Sequence, residues 1–176
     1  AASVSLFATL ESPVNERLDQ SSFIFSLQFS AGILGNVLFQ IPAGKLTDRI
    51  GEKPVIIIGF LFVPPIIFLH GVVTSSEMML LVRVSLGASV ALFFPASLVL
   101  AGKINPLKSG AILSTLTSAF AFGIATGPTI SGLLYNAGSF TTPFFTFAIL
   151  SGVTFLGLLY GMYAEDAEKN TSNSDN

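Results

Sequence analysis

Five long apolar runs, separated by short polar connections, constrain this chain more than any other feature. Each run is about 20 to 24 residues long, which matches the roughly 20 residues that a helix needs to cross a hydrocarbon core of about 30 Å. Charged residues make up only 10% of the chain, and 51% of its residues are hydrophobic. The sequence therefore predicts an all-α membrane protein. Its predicted spans are Phe23–Ala43, Pro54–Val73, Met78–Ala101, Ala111–Leu134 and Phe140–Tyr163.

A shorter apolar segment, residues 1–10, precedes these runs and stops at Glu11. It is about half as long as a membrane span and lacks the basic start of a signal peptide. We interpret it as the outer end of a first helix whose beginning is missing. The chain is therefore expected to be a fragment with six transmembrane helices over residues 1–163. Residues 164–176 are polar and are expected to form a tail or linker.

The basic residues of the connections predict an orientation. With helices alternating in direction, one end of the bundle collects nearly all of them, whereas Arg17 alone falls at the other end. Short loops rich in Lys and Arg remain on the cytoplasmic side of a membrane. We therefore expect a multi-pass protein of the plasma membrane with its polar tail in the cytoplasm. The basic residues at that end are Lys45, Arg49, Lys53, Lys103, Lys108 and Lys169.

The connection Gly44–Lys53 carries the most informative motif. Its glycines permit tight reversal at a helix end, and the adjacent Asp48 and Arg49 can form contacts in one conformation that are absent in another. An anchor on the cytoplasmic side is the alternative reading. The segment resembles the major facilitator superfamily signature Gly-x-Leu-Ala-Asp-Arg-x-Gly-Arg-Lys, with Thr47 and Glu52 as departures. That resemblance implies a cytoplasmic gate. The matching residues are Gly44, Leu46, Asp48, Arg49, Gly51 and Lys53.

The fourth predicted helix contains Arg83 within an otherwise apolar run, and Gly87 follows one turn later. A charge in hydrocarbon is costly unless it is paired, faces water or reaches the headgroups, so Arg83 is either functional or snorkelling outward. The pair resembles the superfamily's second motif, Arg-x-x-Gln-Gly-x-Gly, which implies that Arg83 lies in a central cavity. The second helix carries amides on roughly one face, which could line that cavity or bond between helices. They are Gln28, Asn36 and Gln40.

The fifth predicted helix contains a run of glycines around Pro128. Glycines four residues apart let two helices approach closely, and a proline removes one helical hydrogen bond, so a packing kink could explain the run. It also resembles the Gly-x-x-x-Gly-Pro-x-x-Gly-Gly motif of proton-driven exporters in the superfamily, with Ser131 replacing one glycine. The resemblance implies a helix that bends during transport. The motif residues are Gly123, Gly127, Pro128 and Gly132.

The resemblance implies one six-helix half of a secondary active transporter that works by alternating access. The expected partners are lipid, a small solute, protons, and a second half from the same polypeptide or a dimer. Proton-coupled efflux of small organic or drug-like compounds is expected; the alternatives are an uptake symporter and a non-transporting scaffold or receptor. No enzyme, cofactor or metal site is expected, since cysteine is absent and the single histidine, His70, is expected near the outer interface. A net charge of −2 gives no support for nucleic-acid binding.

Overall fold

The computed structural model describes residues 2–174, together with the side chains of residues 2–164 except at positions 3 and 106. No strand occurs in the described part, which confirms the predicted all-α class. Within residues 2–174, short 3₁₀ helices at Leu6–Thr9 and Pro106–Lys108 accompany eight α-helices. The α-helices are α1 (Ala2–Ser5), α2 (Glu11–Leu18), α3 (Ser22–Ile50), α4 (Glu52–Leu61), α5 (Val63–Val72), α6 (Ser76–Ile104), α7 (Ser109–Ala137) and α8 (Thr141–Ser174).

In the described part of the chain, five helical segments are long and apolar enough to cross a membrane, with α4 and α5 together forming one of them. Lipid offers no partner to backbone N–H and C=O groups, so a helix, which pairs them internally, is the stable form for such runs. Each segment contains one of the five predicted runs or overlaps nearly all of it. The five are Ser22–Ile50, Glu52–Val72, Ser76–Ile104, Ser109–Ala137 and Thr141–Ala164.

Residues 2–10 do not form a single α-helix. After α1, the chain continues as a 3₁₀ turn in which Leu6 and Phe7 are fully buried. These side chains pack with residues of α5, α6 and α8, including Ile67 and Phe144. The next connection is also more ordered than expected, because Glu11–Leu18 forms α2. Tertiary packing therefore gives this short apolar segment a shape that its length alone does not predict.

The chain is expected to reverse direction at Gly44 and Gly51, but it does so only at Gly51. Helix α3 continues through Gly44 as far as Ile50, and no neighbouring atom lies within 4 Å of where a Gly44 side chain would begin. The helix ends at Gly51, whose φ of 86° favours glycine, and the Gly51 N–H donates to the Thr47 carbonyl at 2.9 Å. The motif around Asp48 is therefore mostly the last turns of a helix rather than a loop.

The second of the five long apolar runs is interrupted at Phe62, which separates α4 from α5. Pro64 and Pro65 follow at the start of α5, where prolines are tolerated because the first helical N–H groups have no partner in the helix. At the other end of the chain, α8 continues from the last apolar run into the polar segment and reaches Ser174. The rest of the predicted tail lies outside the described residues.

Helix α6 is the centre of the packing, because it contacts α3, α4, α5 and α7. Its closest approach to α3 is at Gly87, where an added Cβ would overlap the Gly32 carbonyl oxygen. On α3, a Cβ at Gly35 would lie 2.7 Å from the Val84 carbonyl oxygen. Small residues at such crossings let backbones meet and supply much of the attraction between helices in lipid.

We predict that Gly87→Ala lowers the melting temperature of the purified protein by about 2–10 °C, because the new methyl group must push α3 away from α6. Gly102→Ala on the same helix is the matched control, since nothing lies within 4 Å of its Cβ position. That variant should melt at the wild-type temperature or slightly above it, because alanine favours helix. Equal melting of the two variants would show that the crossing tolerates a side chain.

Candidate solute cavity

A cavity of about 330 Å³ lies between α3, α6 and α7. Its volume is within the range of about 300–1,000 Å³ that small-molecule sites occupy. The polar residues of its lining are Asn36, Gln40 and Arg83. Apolar side chains make up most of the remaining wall. They include Phe29, Ile33, Leu86, Val90, Phe94 and Phe120.

Arg83 is buried, with only 4% of its surface exposed. Its guanidinium carbon lies 3.5 Å from the centre of the Phe7 ring and within 6 Å of the rings of Phe25 and Phe29. Attraction between a cation and aromatic faces offsets part of the cost of burying the charge. Among the described residues, however, Nε and Nη2 find no hydrogen-bond partner. Arg83 is thus held by rings rather than by a carboxylate, and it does not snorkel outward.

The three amides of α3 divide between two places. Asn36 donates to the Gly87 carbonyl at 3.3 Å and accepts from Gln40 at 2.9 Å, so both line the cavity beside Gly87. Gln28 lies about 12 Å farther along the helix, because eight residues rise by that distance. It is buried away from the cavity. The structure therefore brings together Arg83, Gly87, Asn36 and Gln40 but not Gln28.

Gln28 belongs to an amide network, formed with Gln20 and Ser76, at the end of the bundle that carries Arg17. Gln28 and Gln20 exchange hydrogen bonds of 2.8 and 3.1 Å, and Gln28 also donates to the Ser76 carbonyl at 3.2 Å. The Ser76 hydroxyl donates to Gln20 at 2.6 Å. The network ties the connection after α2 to α3 and α6. Sequence reasoning missed Gln20 and Ser76 because both fall outside the predicted apolar runs.

At the opposite, Lys-rich end, Asp48 and Arg49 are both exposed in the last turn of α3. In the part of the chain that the structure describes, neither side chain forms a hydrogen bond or an ion pair. Glu52 instead pairs with Lys103 and joins the start of α4 to the end of α6. Glu52 stands where the motif resemblance expects an arginine, so this departure has a structural partner within the chain.

The glycine-proline run lies in α7, which continues as an α-helix through Pro128. Gly127 is buried against α1, and an added Cβ there would lie 2.6 Å from the Ala2 carbonyl oxygen. The Pro128 carbonyl accepts a hydrogen bond from the Thr9 hydroxyl at 3.0 Å. Gly123 is half-buried, and nothing lies within 4 Å of a Cβ at Gly132. Close packing in this run is therefore greatest at Gly127, against the first residues of the chain.

His70 is fully buried among the helices. Its Nδ1 lies 2.7 Å from the Ile66 carbonyl oxygen, and its ring centre lies 4.3 Å from that of Phe7. Nε2 has no hydrogen-bond partner among the described residues. The burial results from Phe7 and from Phe144 of α8, both of which cover the ring. Neither contact is visible in the sequence around His70.

Comparison of the sequence with known proteins places the chain in a family. A family model described as Major Facilitator Superfamily matches residues 1–176. The chain belongs to the Major Facilitator Superfamily. This membership confirms the resemblance found in the motifs and identifies the chain as part of a multi-pass integral membrane protein of a transporter family.

Individual relatives within the superfamily are similar over part of their length. The chain is 33% identical over 93 residues to Multidrug resistance protein 1 of Bacillus subtilis and 28% identical over 112 residues to MFS-type transporter ppzB of Metarhizium majus. These matches cover 52% and 62% of this chain but only 24% of each relative. An uncharacterized MFS-type transporter of Methanocaldococcus jannaschii is 26% identical over 142 residues, 80% of this chain and 37% of that protein. The chain thus spans well under half the length of these superfamily relatives.

The contact between Arg83 and Phe7 gives a prediction for this superfamily member. Phe7→Leu keeps an apolar side chain but removes the ring, so the buried guanidinium loses its nearest favourable contact. We expect a loss of about 1–3 kcal/mol in stability, measured as a lower melting temperature of the purified protein. Phe140→Leu is the matched control, because Phe140 holds the exposed Arg17 at 4.6 Å. That loss should be clearly smaller, and an equal or larger one would contradict a stabilising role for Phe7.

Proposed function

We propose that the protein is a secondary transporter that moves a small organic solute by alternating access, and that this chain forms one six-helix half of it. The observation that carries the proposal is Arg83, a buried charge beside a cavity of solute size. Charged residues inside a membrane are expensive and usually lie on substrate or ion pathways. A membrane scaffold has no use for such a residue, so the cavity is better explained as a transport site.

The remainder of the transport pathway is assigned to a second six-helix unit, from the same polypeptide or from another copy. Helices α3 and α7 flank the cavity, and both leave most of their residues exposed. Transporters built from two such units bind solute between them near the middle of the membrane. The exposed sides of α3 and α7 beside the cavity are therefore the surfaces that would meet the second unit.

We assign the gate role to the Lys-rich end of α3, and we place this end in the cytoplasm at the plasma membrane. Asp48 and Arg49 are exposed there and have no partner among the described residues. Charges placed in this way can form a contact with the second unit in one conformation and lose it in the other. Glu52 and Lys103 would keep α4 and α6 together while that contact changes.

Proton-coupled efflux is the direction that we propose. The glycine-proline run of α7 supports it through its resemblance to proton-driven exporters, with Gly127 packed against the first residues of the chain. One relative carries the name Multidrug resistance protein 1, which agrees with an export role. In this proposal α7 bends around Pro128 as the cavity changes the side to which it opens.

The experiment is uptake into inverted membrane vesicles that contain the product of the complete gene, energised with an acidic interior. The solute panel should include cationic, neutral and anionic organic compounds. We expect accumulation of at least one solute, collapse of the accumulation by a protonophore, and a decrease of about tenfold or more in rate for Arg83→Leu and Asp48→Ala. Glu16→Ala, at an exposed acid at the other end of the bundle, should transport like wild type.

The possible results separate the alternatives. Accumulation only in right-side-out vesicles would show that the protein mediates uptake rather than efflux. If no solute moves in either orientation, and Arg83→Leu leaves expression unchanged and raises the melting temperature, the scaffold reading replaces transport.

A further inference from the structure

We propose that the transported solute carries an anionic group, a carboxylate or its equivalent, that binds the Arg83 guanidinium in the cavity. This proposal rests on the proposed transport function and deepens it by naming the chemistry of the solute. The rest of the solute is expected to be an apolar or aromatic body that fits about 330 Å³. The solute class is thus an amphiphilic organic anion rather than a cation.

The charges of the chain support an anion. Arg83 is the only charged residue within the five apolar runs, and the acidic residues of the chain all lie outside those runs. Among the described residues, none forms an ion pair with Arg83. In a region shielded from water, an uncompensated positive charge attracts anions and repels cations more strongly than it does in water. The cavity therefore presents a positive site without a built-in counter-ion.

The hydrogen-bond donors of Arg83 point to the same conclusion. Nε and Nη2 are both buried and lack acceptors, while the aromatic contact is made through the face of the Phe7 ring. Buried donors without partners are costly, and a carboxylate can accept from two guanidinium N–H groups at once. Both donors are covered by protein atoms, so an anion in the cavity would satisfy them by drawing the guanidinium away from the Phe7 ring.

The rest of the lining suggests where the remainder of the solute lies. Asn36 and Gln40 bond to each other and to the Gly87 carbonyl, so they offer amide dipoles but no charge. The aromatic wall formed by Phe29, Phe94 and Phe120 faces the same cavity. Phe94 and Phe120 contact each other with ring centres 4.3 Å apart, joining α6 to α7. A flat apolar body could pack against these rings while its anionic end reaches Arg83.

A carboxylate for Arg83 has two possible sources: the solute, or an acidic side chain elsewhere in the complete protein. Equilibrium binding to the purified product of the complete gene distinguishes them. The probes are naphthalene-2-carboxylate, naphthalene-2-carboxamide and naphthalen-2-ylmethylammonium, which have nearly the same shape but different charges. We expect the carboxylate to bind about tenfold or more tightly than the carboxamide, and the ammonium to bind most weakly.

Variants of Arg83 test whether this residue causes the preference for carboxylate. In Arg83→Gln the preference for carboxylate over carboxamide should fall to about one, while Arg83→Lys should keep part of it because the charge remains without the two-donor geometry. Carboxamide binding within about threefold of wild type would show that the cavity is intact. Arg17→Gln is the matched control, since Arg17 also lies over a ring but at the exposed outer surface, and it should keep the full preference.

The proposal is overturned by no measurable carboxylate binding, by equal binding of carboxylate and carboxamide by wild type, or by a preference for carboxylate that persists in Arg83→Gln. Tightest binding of the ammonium would indicate that a protein carboxylate already neutralises Arg83, and it also overturns the proposal. If the transport proposal fails and the anion proposal holds, carboxylate binding would still depend on Arg83, but vesicles would accumulate no solute. Conversely, Arg83-dependent transport of cations alone would leave the transport proposal standing without the anion site.

Discussion

The backbone contact between α3 and α6 at Gly87 is the constraint on which the rest of the candidate site depends. Because the helices meet without an intervening side chain, Asn36 reaches the Gly87 carbonyl, and Arg83, one turn away, is brought near the rings of Phe25 and Phe29. A wider crossing would separate these groups and let water or lipid enter between them. The cavity exists beside this crossing because α7 stands farther from α3 than α6 does.

Much of this fold could be predicted from the sequence, because lipid removes most alternatives. A run of about 20 apolar residues has to pair its backbone groups internally, so helices followed directly from run length. Arg83 was recognisable for a related reason, since a charge within such a run requires an explanation. Of the two motif glycines, Gly51 does end a helix, as its positive φ favours, whereas the predicted helix end at Ala43 lies within α3. These features depend on local physics, which a single sequence contains.

What could not be predicted depends on contacts between distant residues. The segment Leu6–Thr9 forms a 3₁₀ turn in which Phe7 packs against Arg83 and His70, which lie far along the chain. Nothing local to His70 indicates that Phe144 covers it. Gln28 and Asn36 share a helix face, yet one bonds to Gln20 and Ser76 while the other lines the cavity. The roles of these two amides depend on how far along the bundle each one lies. The periodicity of the side chains gives the helix face but not that position.

The way in which Arg83 is held suggests how solute binding could be coupled to movement. Aromatic rings stabilise the guanidinium charge but leave two of its N–H groups without acceptors. Burying these donors costs free energy, and a bound anion would remove that cost. Only interactions that differ between two conformations can shift their equilibrium. Phe7 belongs to the segment that packs, through Ala2, against Gly127 of α7. An anion that draws Arg83 from the Phe7 ring would therefore weaken a contact on the same segment that packs against the glycine-proline helix. In this arrangement a single ring connects the charge of the cavity to the helix proposed to bend.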